Sequence, residues 1–99
     1  MPKMLFADAA RCLAELGHPH RLQIFELLVR AGDAGCRVGE IGDALALPKS
    51  TLSHHLANLV AIGLVAQTRE GRILRCRICA DRARDVRRFM NACCEGLPD

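Results

Sequence analysis

The sequence predicts a mainly α-helical domain with a β-hairpin wing, a winged helix-turn-helix of four helices, two strands and a fifth helix. Apolar residues recur at helical spacing as far as position 62, alternate with a period of two from 64 to 79, and return to helical spacing after 86. Two short helices joined by a tight turn and followed by a basic hairpin define this fold class. With 99 residues the chain has the size of one domain, which we expect to cover positions 1–99.

The first two predicted helices are separated by Gly17 and Pro19. The first ends at Gly17, and its apolar residues at helical spacing are Leu5, Ala9, Cys12, Leu13 and Leu16. Pro19 suits the first turn of the second helix, where a backbone N–H is not needed for helical hydrogen bonds. The apolar stripe of the second helix is Leu22, Phe25, Leu28 and Val29.

The third and fourth predicted helices form the helix-turn-helix. A turn of small residues at 31–35 precedes the third helix, whose apolar residues are Val38, Ile41, Ala44 and Leu45. A break at 47–50 starts the fourth helix, which runs to about Ile62 and ends at Gly63, as many helices end at a glycine. Its inward face is predicted to be Leu52, Leu56, Leu59 and Val60.

The hairpin and the fifth helix complete the fold. The predicted strands are Leu64–Arg69 and Arg72–Cys79, joined by a turn at 70–71. Asp81 is predicted to cap the fifth helix, whose apolar side is Val86, Phe89, Met90 and Cys93. A chain this short has few surfaces left to cover that side, so we expect a homodimer.

Composition and charge narrow the function. Apolar residues make up 51% of the chain and charged residues 25%, which excludes a disordered protein. Aromatic residues are only 3%, so a stacking platform for single-stranded nucleic acid is not expected. No apolar run reaches the roughly 20 residues of a membrane span, and we expect a cytoplasmic protein without a membrane partner. The net charge of +3 lies in residues 63–99, where Arg69, Arg72, Arg75 and Arg77 surround Glu70 and indicate either a phosphate-binding or a merely solvated hairpin.

The outward face of the fourth helix is polar and has no acidic residue from 48 to 62. Its residues are Ser50, His54 and Asn58, flanked by Thr51, Ser53 and His55. Such side chains fit a major groove, and Lys49 stands at the helix N-terminus, which favours a phosphate. A solvent-facing helix is the alternative, but it would more often carry Glu and Lys. We therefore predict that double-stranded DNA is contacted by Lys49, Ser50, Thr51, Ser53, His54, His55, Arg69, Arg72 and Arg75.

Several motifs together are similar to the ArsR/SmtB family of bacterial transcription factors. They are LPKSTLSHHL at 47–56, GLV at 63–65, REGR at 69–72 and LGHPHRL at 16–22. The resemblance covers roughly residues 9–96. It implies a repressor, not an enzyme, that dimerises through its first and last helices and leaves its operator when an inducer binds. It also implies that Ser53 and His54 contact the groove and that Arg72 is the wing contact.

Most inducer sites of that family are missing from this sequence. Where one branch has a Cys-Val-Cys segment opening the third helix, this chain has Arg37-Val38-Gly39, with Cys36 alone beside it. The zinc site of the last helix needs histidines, and residues 81–95 contain none. Cys76 and Cys79 lie three positions apart on a strand, and such side chains point to opposite faces, so we expect a packing thiol and a surface thiol.

The adjacent pair Cys93-Cys94 is the remaining candidate for an inducer site. Both residues lie in the last turn of the fifth helix, and soft thiolates select thiophilic centres. The pair resembles the Cys-Cys-x-Gly ending of a metalloid-responsive branch. We therefore predict that As(III) or Sb(III) is the inducer, that no cofactor is obligatory, and that Cys12 or a solvent ligand supplies a third bond.

Two other uses of the thiols stay open. Cys93 could oxidise against its symmetry mate, or act in persulfide sensing, although the sulfide-sensing branch needs a cysteine in the second helix and this one has none. The more distant alternative hypothesis is that the protein is a small thiol oxidoreductase. Redox Cys-x-x-Cys motifs normally open a helix, and neither cysteine pair does so here.

Overall fold

The structure, a computed structural model, describes residues 4–99. In this range the helices α1 to α5 are Phe6–Leu16, Pro19–Ala31, Val38–Leu45, Lys49–Ala61 and Ala80–Cys93. The strands β1, β2 and β3 are Cys36–Arg37, Val65–Glu70 and Ile73–Ile78. The predicted order of four helices, a hairpin and a fifth helix is confirmed, with strand ends shifted by one residue.

A third strand, β1, was not predicted. The sheet has the order β1-β3-β2, and both pairs are antiparallel. β1 places Cys36 opposite Cys76 and Arg37 opposite Arg75. The backbone of Gly35, the residue before β1, lies so close to β3 that a Cβ atom at this position would collide with the Cys76 carbonyl. Two residues are too few for a periodic pattern, so only the tertiary pairing reveals this strand.

One core cluster unites the helices and the sheet. Its members are Cys12, Leu16, Ile24, Leu28, Ile41, Leu52, Leu56, Leu59, Leu64, Val65, Cys76 and Val86. The predicted stripe of α2 is wrong in part, because Ile24 and Leu28 are buried while Leu22 and Val29 are exposed. Val60 of α4 is likewise exposed, not inward. Every helix contributes to this core, so α4 is held on a rigid support.

Helix α5 begins at Ala80, two residues earlier than it would if Asp81 were its N-cap. Cys79 is the N-cap residue, and Asp81 lies in the first turn, where its carboxylate binds Arg84. The prediction that Asp81 caps the helix is therefore wrong. Further along, the Phe89 ring meets the Phe6 ring edge-on at 4.9 Å and joins α5 to α1.

The terminal helices leave apolar side chains exposed. They are Leu5, Phe6, Leu13, Met90 and Leu97, all on or beside α1 and α5. Scattered apolar residues are normal on a surface, but a group on two neighbouring helices is typical of an interface. Within residues 4–99, each helix is too short or too polar to cross a membrane.

Candidate nucleic-acid interface and thiol sites

A groove of about 760 Å³ lies between α3, the start of α4 and the wing formed by β2 and β3. Lys49 and Ser53 line it from α4, and Arg69 and Arg72 line it from the wing. These four residues were predicted from separate parts of the sequence, and the fold brings them to one concave surface.

The outward face of α4 is largely as predicted. Lys49, Ser50, Ser53 and His54 are exposed, and Thr51 is half-buried beside them. Leu52, Leu56 and Leu59 pack into the core and fix the rotation of the helix. The exposed face thus offers short polar side chains to a ligand, as a major groove requires.

His55 does not belong to this face. Only 5% of its surface is exposed, and its ring packs against His18 at a centroid distance of 4.5 Å. The Arg21 Nη1 atom donates to His55 Nδ1 at 3.2 Å. His55 lies three residues after Leu52, on the inward stripe of a helix, so the prediction that it contacts DNA is wrong.

The arginines of the wing fall into two pairs. Arg69 and Arg72 make no ion pair within residues 4–99 and stand exposed at the hairpin tip. Arg75 donates from Nε to the Glu70 carboxylate at 2.9 Å and from Nη1 to the Ala34 carbonyl at 3.2 Å. Hydrogen bonding from Arg75 lowers the pKa of Glu70, which therefore stays charged. Arg75 thus braces the wing against the turn before β1, and its contact with DNA stays a prediction that would require it to leave these partners.

Arg77 braces the wing in the same way as Arg75. Its Nε atom donates to the Asp33 carbonyl at 2.9 Å, and it forms a second ion pair with Glu70 at 3.4 Å. The excess of positive charge predicted over residues 69–77 is thus concentrated at the tip, on Arg69 and Arg72. A charge in that position can reach a phosphate without breaking an internal contact.

The cysteines differ strongly in accessibility. Cys93 and Cys94 are exposed at the end of α5, and Cys94 leaves helical geometry. Cys12 is fully buried in the core. Across residues 4–99, no three metal-binding side chains that include Cys12 come together within one chain. The prediction that Cys12 completes a site with Cys93 and Cys94 therefore fails within a chain, because its sulfur faces the core.

The other three cysteines lie around β3. Cys76 is buried, as predicted for a packing thiol, and Cys79 is half-buried at the start of α5. Cys36, which seemed isolated in the sequence, lies across the ladder from Cys76. Desolvation raises the pKa of each of these thiols, so they are less reactive than a free thiol at neutral pH.

Sequence reasoning missed a histidine cluster. His18, His20 and His55 come together where the start of α2 meets the middle of α4. The sequence signal was the 52, 55, 56, 59 spacing on α4, which puts His55 on the inward side. Its partners could not be found that way, because they lie more than 30 positions away.

Residues 16–68 match the model of a family described as a helix-turn-helix domain. The uncharacterized HTH-type transcriptional regulator MJ1325 of Methanocaldococcus jannaschii is 39% identical over 66 residues, which are 67% of this chain and 72% of that protein.

Solved structures agree with this match. An ArsR-like transcriptional regulator from Rhodococcus is 25% identical, with a TM-score of 0.74 over 88% of this chain and 79% of that chain. The homodimeric winged helix-turn-helix DNA-binding domain of Mb0332 from Mycobacterium bovis, a possible ArsR-family regulator, is 28% identical, with a TM-score of 0.72 over 99% and 94%. Reduced HlyU from Vibrio cholerae is 30% identical, with a TM-score of 0.69 over 87% of each chain.

Proposed function

The chain belongs to the ArsR/SmtB family of helix-turn-helix transcriptional regulators, and from this premise we propose that it is a metalloid-responsive repressor. As a homodimer it binds operator DNA through α4 and the wing. It releases the operator when As(III) or Sb(III) binds Cys93 and Cys94. The observation that carries the DNA-binding part is the common groove of Lys49, Ser53, Arg69 and Arg72.

The DNA contacts divide into two kinds. Ser53 and His54 project from α4 and are short enough to reach base edges in a major groove. Lys49 and the exposed arginines 69 and 72 flank them and supply phosphate contacts, which fix register without reading sequence. Glu40, an acidic residue of the groove wall, is already paired with Arg37 at 3.2 Å.

The homodimer is proposed to form through α1 and α5. These helices contact each other through Phe6 and Phe89, and they carry the exposed apolar group that includes Leu13 and Met90. The Mycobacterium bovis relative is described as homodimeric. A two-fold pair would place both α4 helices about 34 Å apart, one turn of DNA, and would match a palindromic operator.

The inducer site is proposed at Cys93 and Cys94 because both sulfurs are exposed and adjacent. Arsenious acid would react as As(OH)₃ + 2 RSH → (RS)₂AsOH + 2 H₂O, so two As–S bonds replace two As–O bonds without a redox change. Thiolates suit such a soft centre. Cys12 is not required by this stoichiometry, and the third position keeps a solvent ligand.

Release follows from the position of this pair on α5. Cys93 is one helical turn beyond Phe89, the residue that contacts α1. A metalloid that reshapes this turn therefore acts next to the proposed dimer interface, and the dimer geometry sets the spacing of the α4 helices. A coupling free energy of about 1–3 kcal/mol weakens operator binding by roughly 5- to 150-fold.

The test measures operator affinity with and without arsenite. A duplex selected from a random library serves as the operator, and fluorescence anisotropy reports binding by the reduced protein. We expect arsenite to weaken binding roughly 5- to 150-fold for the wild type and for Cys79→Ser, the matched control. Cys93→Ser and Cys94→Ser should bind the duplex normally and keep it in arsenite.

Three outcomes would contradict the proposal. Release that persists in both serine variants removes the inducer site. Release that is lost in Cys36→Ser instead moves the site to the pair across β1 and β3. Release by a disulfide-forming oxidant but not by arsenite indicates the thiol redox switch of the same fold.

A further inference from the structure

A cluster of three histidines lies between the start of α2 and the inward side of α4. His18 is the N-cap residue of α2, His20 lies in the first turn of that helix, and His55 is in the middle of α4. The ring centroids are 4.5 to 5.4 Å apart. One ring nitrogen of each residue lies within 4.8 Å of those of the other two. Neither the DNA surface nor the thiol pair uses this cluster.

The three rings are suited to donate lone pairs. Neutral imidazole is the form that binds metals. The Nδ1 atom of His20 is buried and has no hydrogen-bond partner within residues 4–99. A buried polar nitrogen without a partner costs free energy that a ligand would recover.

We propose that His18, His20 and His55 form a binding site for one Zn²⁺ ion, with the fourth position open to water. Imidazole nitrogens suit zinc, and three histidines plus one open position is a common coordination set. The ligand nitrogens of a tetrahedral site with bonds of 2.0–2.1 Å are about 3.4 Å apart. Zinc binding therefore requires rotations of the three side chains that bring their nitrogens closer together than the 4.8 Å within which they now lie.

Two existing hydrogen bonds set the cost of the site. The Nδ1 atom of His18 accepts from the His20 backbone N–H at 3.1 Å, and zinc binding by either nitrogen of that ring would break this capping bond. Arg21 makes the second bond. A guanidinium only donates hydrogen bonds, so His55 Nδ1 accepts from Arg21 and His55 carries its proton on Nε2. Binding through Nε2 therefore requires the other tautomer and releases Arg21. The Glu15 carboxylate lies 3.4 Å from Arg21 Nε and offsets part of its charge. The site should therefore bind zinc with moderate strength and release it readily, which suits a regulatory ion.

The position of the site determines its effect. A bound ion would join the start of α2 to α4, one residue away from the exposed His54. It would hold the rotation of α4 without touching the groove. The effect of zinc on DNA binding rests on the proposed function, whereas the metal site itself does not.

The test is a Co²⁺ titration of the reduced protein in a Cys93→Ser/Cys94→Ser background, with no DNA present. Co²⁺ replaces Zn²⁺ and reports tetrahedral geometry by its visible absorption. We expect one equivalent to bind without a sulfur-to-cobalt charge-transfer band. His20→Gln should weaken binding at least about tenfold, and His54→Gln, the matched control, should bind as the parent does.

A second measurement does not depend on a variant. Imidazole ¹⁵N chemical shifts of the same parent protein are followed while Zn²⁺ is added. The proposal expects shifts at His18, His20 and His55 and none at His54. It is overturned if Co²⁺ binds equally to His20→Gln, if the sulfur charge-transfer band appears, or if Zn²⁺ moves only the His54 signals. Loss of operator binding has no bearing on these readouts, so the two proposals fail separately.

Discussion

His54 and His55 are neighbours in the chain but belong to different parts of the molecule. His54 is exposed on the side of α4 that carries Ser50 and Ser53. His55 is buried against His18 and accepts a hydrogen bond from Arg21. One step along a helix turns a side chain by about 100°. The Ser-His-His motif therefore places one histidine on the exposed face of α4 and the next among the side chains that support the helix.

The largest expected effect is a loss of stability when His55, on the inward side of α4, is replaced. His55→Ala removes a buried ring and leaves Arg21 Nη1 without the acceptor that it has in His55 Nδ1. We expect the free energy of unfolding to fall by about 2–4 kcal/mol. Urea denaturation at a fixed protein concentration measures this. His54→Ala is the control and should change stability by no more than about 0.5 kcal/mol. Equal losses in the two variants would remove the distinction between the two faces.

On the outward side of α4, we expect a substitution to change DNA binding rather than stability. We expect His54→Ala to weaken binding of the selected duplex by about 1–3 kcal/mol, because a base-edge contact is lost. Binding of an unrelated duplex should stay unchanged, since phosphate contacts remain. If His54→Ala weakened both duplexes equally, His54 would be a backbone contact and the base-reading role would pass to Ser53.

The two pairs of wing arginines extend the comparison. Arg72→Ala should reduce the slope of log K against log salt concentration by about 2, because one phosphate contact disappears from each subunit of the dimer. Arg75→Ala should leave the slope unchanged and lower stability by about 1 kcal/mol, because it loses the bonds to Glu70 and Ala34. A changed slope in Arg75→Ala would show that this side chain leaves its internal partners and contacts DNA, as the sequence predicted.

The smallest effect concerns pH. His18 and His55 have lowered pKa values in the folded chain, with desolvation as the main cause. In the unfolded chain they titrate near 6.5 and bind more protons, so stability is present above that pH and falls as the pH drops through it. Thermal unfolding at pH 7.5 and 5.5 measures the loss. It should be smaller in His55→Gln and unchanged in His54→Gln; an unchanged loss in His55→Gln would exclude the cluster as its source.

Local patterns predicted most of the fold, because five helices and a hairpin differ in period. Two of the features that the patterns missed depended on contacts distant in sequence. β1 exists only because Cys36 pairs with Cys76, and Arg75 is tied to Ala34, which is 41 positions away. Charge alone could not distinguish the internally paired Arg75 from Arg72, because the partners of a strand side chain are determined only when the sheet folds.

The candidate sites were predictable to a similar extent. Lys49, Ser53, Arg69 and Arg72 share one groove, as separate sequence patterns suggested. His55 was misplaced although the evidence was at hand, because the inward stripe 52, 55, 56, 59 is a regular helical pattern. Cys12 was assigned to an interface from its helix alone, whereas its burial in the core depends on all the elements packed around it.

Amide chemical-shift mapping on addition of the selected duplex tests most directly whether the outward face of α4 and the wing tip bind DNA. The account predicts the largest shifts at 49–54 and 69–72, with much smaller shifts at His18, Cys12 and Arg77. Shifts centred on α2 or on the terminal helices, with 49–54 unchanged, would contradict it.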